Sequence, residues 1–256
     1  LKETPSAPKV SYLLEPKGRN TAPAIALAVR HIQKFHGDDA VCLVLAADHL
    51  ISDDAAFKNA VSQAAEQAHK GNLVVFGIRP TGPETGYGYL EVAETGDGPQ
   101  ALKSFVEKPD RATAEEYLAV GRYYWNSGMF CFTAGVMSEN MATHAGDVWG
   151  ASEAAYAKAR EEAGVIRFEE DSFIAQPDIS VDYAVMERAD KIAMVPAGFG
   201  WSDVGSWDSV AGAHDADKDG NSAVGADKVQ FVDTRDTHIE STSHTEKVVA
   251  TIGVDN

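Results

Sequence analysis

Along the first eighty residues, continuous apolar runs alternate with apolar positions at helical spacing. KVSYLLE (9–15) reads as a short strand and PKGRN as a turn. Asn20 or Thr21 then stands where a helix wants an N-cap, with Pro23 in the first turn and AIALAVRHIQKF as the body. Gly37 ends it. AVCLVLAA (40–47) is an unbroken apolar run, as expected of a strand covered on both faces, and it closes at Asp48-His49. Ser52 is placed to cap a second helix through AAFKNAVSQAAEQAHK to Gly71, and NLVVFGI (72–78) is another buried strand. The order β-α-β-α-β with short connections predicts a parallel sheet flanked by helices and joined by right-handed crossovers.

The pattern then changes. TGYGYLEVAE and ALKSFVEKP flank the turn GDGP and predict strands joined in a hairpin-like way. Thr113 and Glu116 form a T-x-x-E capping box before EEYLAVG. YYWNSGMFCFTA (123–134) is strand-like. Helical spacing returns in GVMSENMATHA, in SEAAYAKAREEAG (152–164) and in DYAVMERAD (182–190). KIAMVPA is a strand leading into GWSDVGSW, with a short helix from Trp207 to about His214. After DADKDGNSAVG the composition shifts to Val, Thr, Ser and Asp, which places a boundary near Asn221. Residues 1–221 are expected to form one domain, and 222–256 the start of a β-rich region of short strands.

A net charge of −17 argues against a general nucleic-acid or anionic-membrane binder. It leaves phosphorylated small substrates open, since local charge and bound cations decide those. No apolar run reaches eighteen residues, so no membrane span is expected. Cys42 and Cys131 lie in apolar strand-like runs and read as buried small hydrophobes, which suits a reducing, cytoplasmic setting. The eight histidines form neither H-E-x-x-H nor a Cys/His zinc spacing, and no G-x-S-x-G marks a hydrolase nucleophile. The acidic stretches 160–162 and 215–219 read as solvated surface. The chain opens Leu1-Lys2-Glu3 without Met and closes in TEKVVATIGVDN, so it is expected to be cut at both ends.

Several residues could carry chemistry. Asp48 follows a buried strand, and ligands of open α/β sheets gather at strand carboxyl ends. A carboxylate there could hold Mg²⁺, or simply cap a turn. Asp203, between two tryptophans and two glycines in GWSDVGSW, is its counterpart after another strand. The two would form a metal site only if the fold brings them close. Gly86-Tyr87-Gly88-Tyr89 permits close backbone approach to a ligand or bends a strand start; it is not a Walker loop. Glu107 could accept hydrogen bonds from sugar hydroxyls and Lys108 could pair with phosphate, or the two could be a solvated ion pair before Pro109. Asn126-Ser127-Gly128 interrupts an apolar strand and must be satisfied by a ligand or a bulge.

The order of these segments is more specific than any one of them. E-P-K-G-R-N-T-A-P-A, A-A-D-H, T-G-Y-G-Y, F-V-E-K-P, W-N-S-G-M-F, S-V-D-Y-A-V-M-E and W-S-D-V-G-S-W together resemble the bacterial-type mannose-1-phosphate guanylyltransferases, over residues 13–207. The resemblance implies a Rossmann-like nucleotidyltransferase fold: an α/β domain with a mixed, mostly parallel sheet flanked by helices. It implies that Glu15, Pro16, Gly18, Arg19, Asn20, Thr21 and Ala22 lie beside a guanine nucleotide. It makes Asp48 and Asp203 the magnesium ligands, and Thr85, Gly86, Tyr87 and Gly88 a sugar-contacting loop. Glu107 would meet sugar hydroxyls, Lys108 the sugar phosphate, Asn126 and Gly128 the mannose side, and Asp182 would close it. The implied partners are GTP and mannose 1-phosphate, with a homodimer as a family-level expectation.

One departure stands out. The family's G-G-x-G-T-R-L loop, which binds the triphosphate through backbone amides, is missing from this sequence together with the strand before it. Two other readings stay open: a sister enzyme using another nucleotide or sugar, and a non-catalytic regulatory homologue that binds nucleotide-sugar.

Overall fold

The computed structural model describes residues 9–255; the opening Leu1-Lys2-Glu3 lies outside them. The chain divides into two compact units, Leu1–Ala46 with Asp53–Phe199, and Ala47–Ser52 with Gly200–Asn256. The composition shift near Asn221 falls inside the second. Among the described residues no helix is long and apolar enough to cross a membrane.

In the first unit, β1 (Tyr12–Leu14) leads to α1 (Thr21–His36), capped at Asn20 and ended at Gly37 as the sequence predicts. β2 (Val41–Val44) follows, and β3 (Leu50–Ile51), a strand the apolar pattern is too short to show, belongs to the second unit. α2 (Asp54–His69) is capped by Asp53 rather than Ser52. The Asp53 carboxylate accepts the N–H groups of both Ala55 (3.0 Å) and Ala56 (2.9 Å), satisfying two orphan donors where a serine would satisfy one. β4 (Leu73–Ile78), β5 (Tyr89–Val92) and β6 (Gln100–Val106) are the expected strands, the last two paired antiparallel. α3 (Arg111–Val120) starts ahead of the Thr113/Glu116 box. Asp110, directly after Pro109, takes the Thr113 N–H at 2.8 Å.

β7 (Tyr123–Thr133) runs into α4 (Ala134–His144) and α5 (Gly146–Ala157). The expected helix over 152–164 stops at Ala157. Ala163 (φ 51°) and Gly164 (φ 80°) both take left-handed backbone, which makes a two-residue hairpin of β8 (Arg160–Glu162) and β9 (Val165–Arg167). After α6 (Glu170–Ile174), the segment read as helical contracts to one π-type turn over Asp182–Met186, and β10 (Ile192–Pro196) follows.

The main sheet has the order β2-β7-β4-β10-β6-β5. Four of its strands (β2, β4, β5, β10) run one way, yet only β4 and β10 are parallel neighbours. The expected direct β-α-β-α-β parallel sheet is therefore corrected on two counts. The long, buried β7 lies antiparallel between β2 and β4, and β1 pairs with β9 in a separate sheet of order β1-β9-β8. Local periodicity reveals a strand but not its neighbour. Along α1, one groove runs between Ala24, Leu27 and Ala28 and the residues Leu13 and Leu14 of β1. Another runs between Ala24, Ile25, Ala28 and Val29 and the edge strand β2. The core lies where α1, α4 and α5 cover the sheet, around Val29, Phe130, Phe132, Met137 and Val148.

The second unit begins with β3 paired to β11 (Trp201–Ser202), followed by α7 (Trp207–Gly212). β12 (Ser222–Val224) lies parallel to β14 (His238–Glu240), and β13 (Lys228–Val232) to β15 (Val248–Ile252), as in the turns of a parallel coil.

Candidate functional site

In the first unit, four segments converge on one cluster of polar side chains. The loop 85–88 enters β5, where the Tyr87 ring meets Trp125 edge to face at 5.1 Å and Asn126 donates its N–H to the Gly88 carbonyl at 2.7 Å. Glu107 stands at the end of β6, its side chain 9% exposed, with Oε1 3.3 Å from the Lys108 Nζ. Its Oε2 is buried with no hydrogen-bond partner among the described residues. That oxygen lies over Gly88, within collision distance of any β-carbon there. Glycine at 88 is thus what lets the carboxylate fit.

The polar triplet in β7 makes a bulge. Val75 faces Phe130, but Gly77 faces Asn126, so extra residues of β7 are looped out of the ladder around Gly128 (φ 70°). Asn126 satisfies the loop itself by accepting the Gly128 N–H at 3.1 Å. Its amide Nδ2 then donates to Asp182 Oδ1 at 2.9 Å. Of the two alternatives left open by the sequence, the bulge is present, and it turns Asn126 toward an acid.

Burial pushes the Asp182 carboxyl above its ordinary value, against hydrogen bonds from its own backbone N–H, Asn126 and Ser180. Burial also raises Glu107, helped by the nearby Asp182 charge and opposed by Lys108. Two acids beside one ammonium suit a polyhydroxyl ligand carrying one anionic group. Such a ligand gives hydroxyl donors to the acids and an anion to the lysine.

The 15–22 segment is partly structural. Asn20, at φ 64°, caps α1 by accepting the Thr21 N–H at 3.0 Å. Thr21 Oγ1 accepts from Val181 N–H at 2.9 Å, and the buried Ala22 donates its N–H to the Ile179 carbonyl at 3.1 Å. These bonds tie the start of α1 to the chain that leads into Asp182. Arg19 donates from Nη2 to the Ile174 carbonyl at 2.6 Å. Burial raises the carboxyl of Glu15. Around Gly18, a β-carbon would meet open space.

In the second unit, β3 and β11 pair Trp201 with Ile51 and Ser202 with Leu50. Asp48 and His49 directly precede this short ribbon and Asp203 directly follows it. Trp201 Nε1–H donates to His49 Nδ1 at 3.1 Å, which puts the imidazole proton on Nε2. The Gly205 N–H donates to Asp203 Oδ1 at 3.2 Å around Val204 at φ 52°. A β-carbon at Gly205 would sit 2.6 Å from Asp203 Oδ2, so glycine leaves room for that carboxylate. No group of three or more His, Cys, Asp or Glu side chains forms a closed metal cage among the described residues. Asp48 and Asp203 flank the ends of this ribbon, and carboxylate oxygens are the ligand type that a hard divalent cation takes.

Sequence reasoning missed Glu187. Its Oε1 accepts the Glu107 backbone N–H at 3.0 Å. Asp182 and Glu187 are five residues apart, a spacing that no α-helical rule pairs. The carboxylate directly after S-V-D-Y-A-V-M was the only local signal.

Comparison with known proteins gives this geometry a context. The family model described as nucleotidyl transferase matches residues 1–220. The chain is 45% identical over 246 residues to the xanthan biosynthesis protein XanB of Xanthomonas campestris pv. campestris, covering 96% of this chain and 51% of that protein. It is 48% identical over 206 residues to the mannose-1-phosphate guanylyltransferase of Escherichia coli K12, covering 78% of this chain and 43% of that one. The chain thus spans about half the length of the curated relatives it matches. Among solved structures, one described as mannose-1-phosphate geranyltransferase from Thermus thermophilus superposes with a TM-score of 0.81 at 35% identity. That match covers 94% of this chain and 68% of the other. With the same fold recovered at this identity, and a family match through nearly all of the sheet-bearing region, the chain belongs to the nucleotidyl transferase family.

Proposed function

We propose that this chain is the catalytic part of a mannose-1-phosphate guanylyltransferase, transferring GMP from GTP to α-D-mannose 1-phosphate to give GDP-mannose and pyrophosphate. The observation that carries the reading is the Glu107–Lys108–Asn126–Asp182 side-chain cluster over Gly88. It presents hydroxyl acceptors and one cation together, inside a family whose similar members include a mannose-1-phosphate guanylyltransferase. The match through residue 220 supports 1–221 as the catalytic domain, with 222–256 opening a β-rich region.

In this reading Thr85, Gly86, Tyr87 and Gly88 line the sugar, with Asn126 and Gly128 on its far side. Glu107 and Asp182 accept hydrogen bonds from its hydroxyls. Lys108 holds the sugar phosphate, whose oxygen attacks the α-phosphorus of GTP in line as pyrophosphate leaves. That phosphate is already ionised near neutral pH, so no strong general base is needed, and the residues act by positioning and charge neutralisation. Glu15, Pro16, Gly18, Arg19, Asn20, Thr21 and Ala22 frame the nucleotide. Asp48 and Asp203 would hold a divalent cation, Mg²⁺ in this reading, which supplies charge neutralisation to phosphate oxygens when bound.

Pyrophosphate release tests the proposal, with GTP, ATP, UTP and dTTP offered against a panel of sugar 1-phosphates in Mg²⁺. GTP with mannose 1-phosphate is expected to be preferred. Turnover should vanish in EDTA and in Asp48→Ala and Asp203→Ala, with the fold intact by circular dichroism. Full activity in either variant would overturn the metal assignment, and preference for another pair would overturn the substrate assignment.

A further inference from the structure

The π-type turn at 182–186 joins the two acids that face the Glu107–Lys108 corner. In an α-helix, the Glu187 N–H would bond to Tyr183; here it reaches the Asp182 carbonyl at 2.9 Å. Single turns of this wider kind are rare and recur at functional sites. Ala184, Val185 and Met186 are buried, and Arg188 donates to the His144 carbonyl at 2.9 Å, so the turn is seated firmly on both sides. The wide turn lets Asp182 face Asn126 while Glu187 reaches the end of β6 and accepts the Glu107 N–H.

That N–H belongs to the residue immediately before Lys108, which stands at φ 48°. Left-handed backbone is unfavourable for a residue with a β-carbon and persists only where the surroundings hold it. Glu187 is exposed, and its charge opposes that of the Glu107 carboxylate, so electrostatics alone would send it into water. The backbone hydrogen bond is the interaction that accounts for its place.

We propose that Glu187 is a positioning residue for the sugar phosphate: by accepting the Glu107 N–H it fixes the left-handed corner at Lys108. It thereby sets where the Glu107 carboxylate and the Lys108 ammonium stand. The inference rests on reading this cluster as the sugar-phosphate site.

Two measurements test it in the intact enzyme: amide hydrogen exchange at Glu107, and separate KM values for sugar phosphate and nucleotide. Glu187→Ala is expected to speed exchange of the Glu107 amide. It should raise the sugar-phosphate KM about 3–10-fold, the low side for a charged hydrogen bond because Glu187 is exposed. The GTP KM should stay within about twofold. Glu187→Gln keeps a carbonyl acceptor and should restore both readouts. If Glu187→Ala does not fold, Glu187→Asp, one methylene too short, is read in its place. Unchanged Glu107 exchange, a parallel rise in both KM values, or a Gln variant as impaired as Ala would each overturn the proposal. If the wild type turns over no mannose 1-phosphate, the functional reading fails on its own. Glu187 is then judged by exchange and by the KM of whichever sugar phosphate is used.

Discussion

Replacing Gly88 by alanine adds one methyl group at the point where the cluster is tightest. The Gly88 backbone is not left-handed, so alanine is allowed conformationally and only packing opposes it. The new β-carbon would collide with Glu107 Oε2 and lie 3.3 Å from the Asn126 Cβ and 3.4 Å from Phe105 Cε1. Asn126 is fixed by its bonds to Gly128 and Asp182, so Glu107 is the group that must move. Overpacking of this kind costs about 1–3 kcal/mol. Loss of glycine flexibility in the unfolded chain returns about 0.4–1 kcal/mol. The net loss, centred on about 1.3 kcal/mol, should lower Tm by about 3–5 °C for a chain of this size. The functional effect should be larger, since displacing a binding group by about 1 Å can cost about 100-fold. Thermal unfolding and the sugar-phosphate KM measure the two effects, and Glu107→Ala supplies the control. In that background Gly88→Ala should cost little, because its main collision partner is gone. A Gly88→Ala variant with wild-type Tm and KM, or one that costs as much in the Glu107→Ala background, would refute the packing argument.

Asp182→Asn keeps an oxygen for Asn126 while removing a carboxyl whose folded value is raised by burial. Such a group's contribution to stability is fullest below its unfolded value and is lost as pH rises through the folded one, so the variant should gain on the wild type as pH rises. Urea unfolding at about pH 4 and about pH 8 measures this; a gap independent of pH would contradict it. At position 20, alanine loses both the α1 cap and the tolerance of asparagine for φ 64°, and should cost about 2 kcal/mol. Glycine, which accepts that backbone, should cost only a few tenths of a kcal/mol; equal melting temperatures for the two variants would show that the backbone angle carries no penalty.

The helix α1 was legible in full because its signals are local: an asparagine cap, a proline in the first turn, a helical apolar face and a terminal glycine. The buried strands β4 and β10 were legible as continuous apolar runs; β2 was legible as a strand, but it lies at the sheet edge with Val41 and Leu45 exposed rather than covered on both faces. Cap identity was less so. Ser52 and the Thr113/Glu116 box are good caps in isolation, but Asp53 and Asp110 satisfy their helix starts. The choice depends on where the preceding chain is held, as at Asp53, whose own N–H bonds to the Phe199 carbonyl. At 152–164 the apolar spacing suited a helix, but the left-handed pair Ala163-Gly164 turns the chain into the β8–β9 hairpin.

Of the candidate site, the sequence by itself determined which residue types were present and in what order. Glycine at 88, the acid and base at 107–108, the polar break at 126–128 and aspartates after two strands are each local facts. The tertiary structure alone decided that Asn126 bonds Asp182, that Glu107 Oε2 rests over Gly88, and that Glu187 holds the Glu107 N–H. It also decided that β7 separates β2 from β4. The physical reason is one of range. Periodicity and capping act within a few residues, whereas strand order and the pairing of buried polar groups are set by contacts between segments far apart in the chain: 56 residues for Asn126 with Asp182, 80 for Glu107 with Glu187.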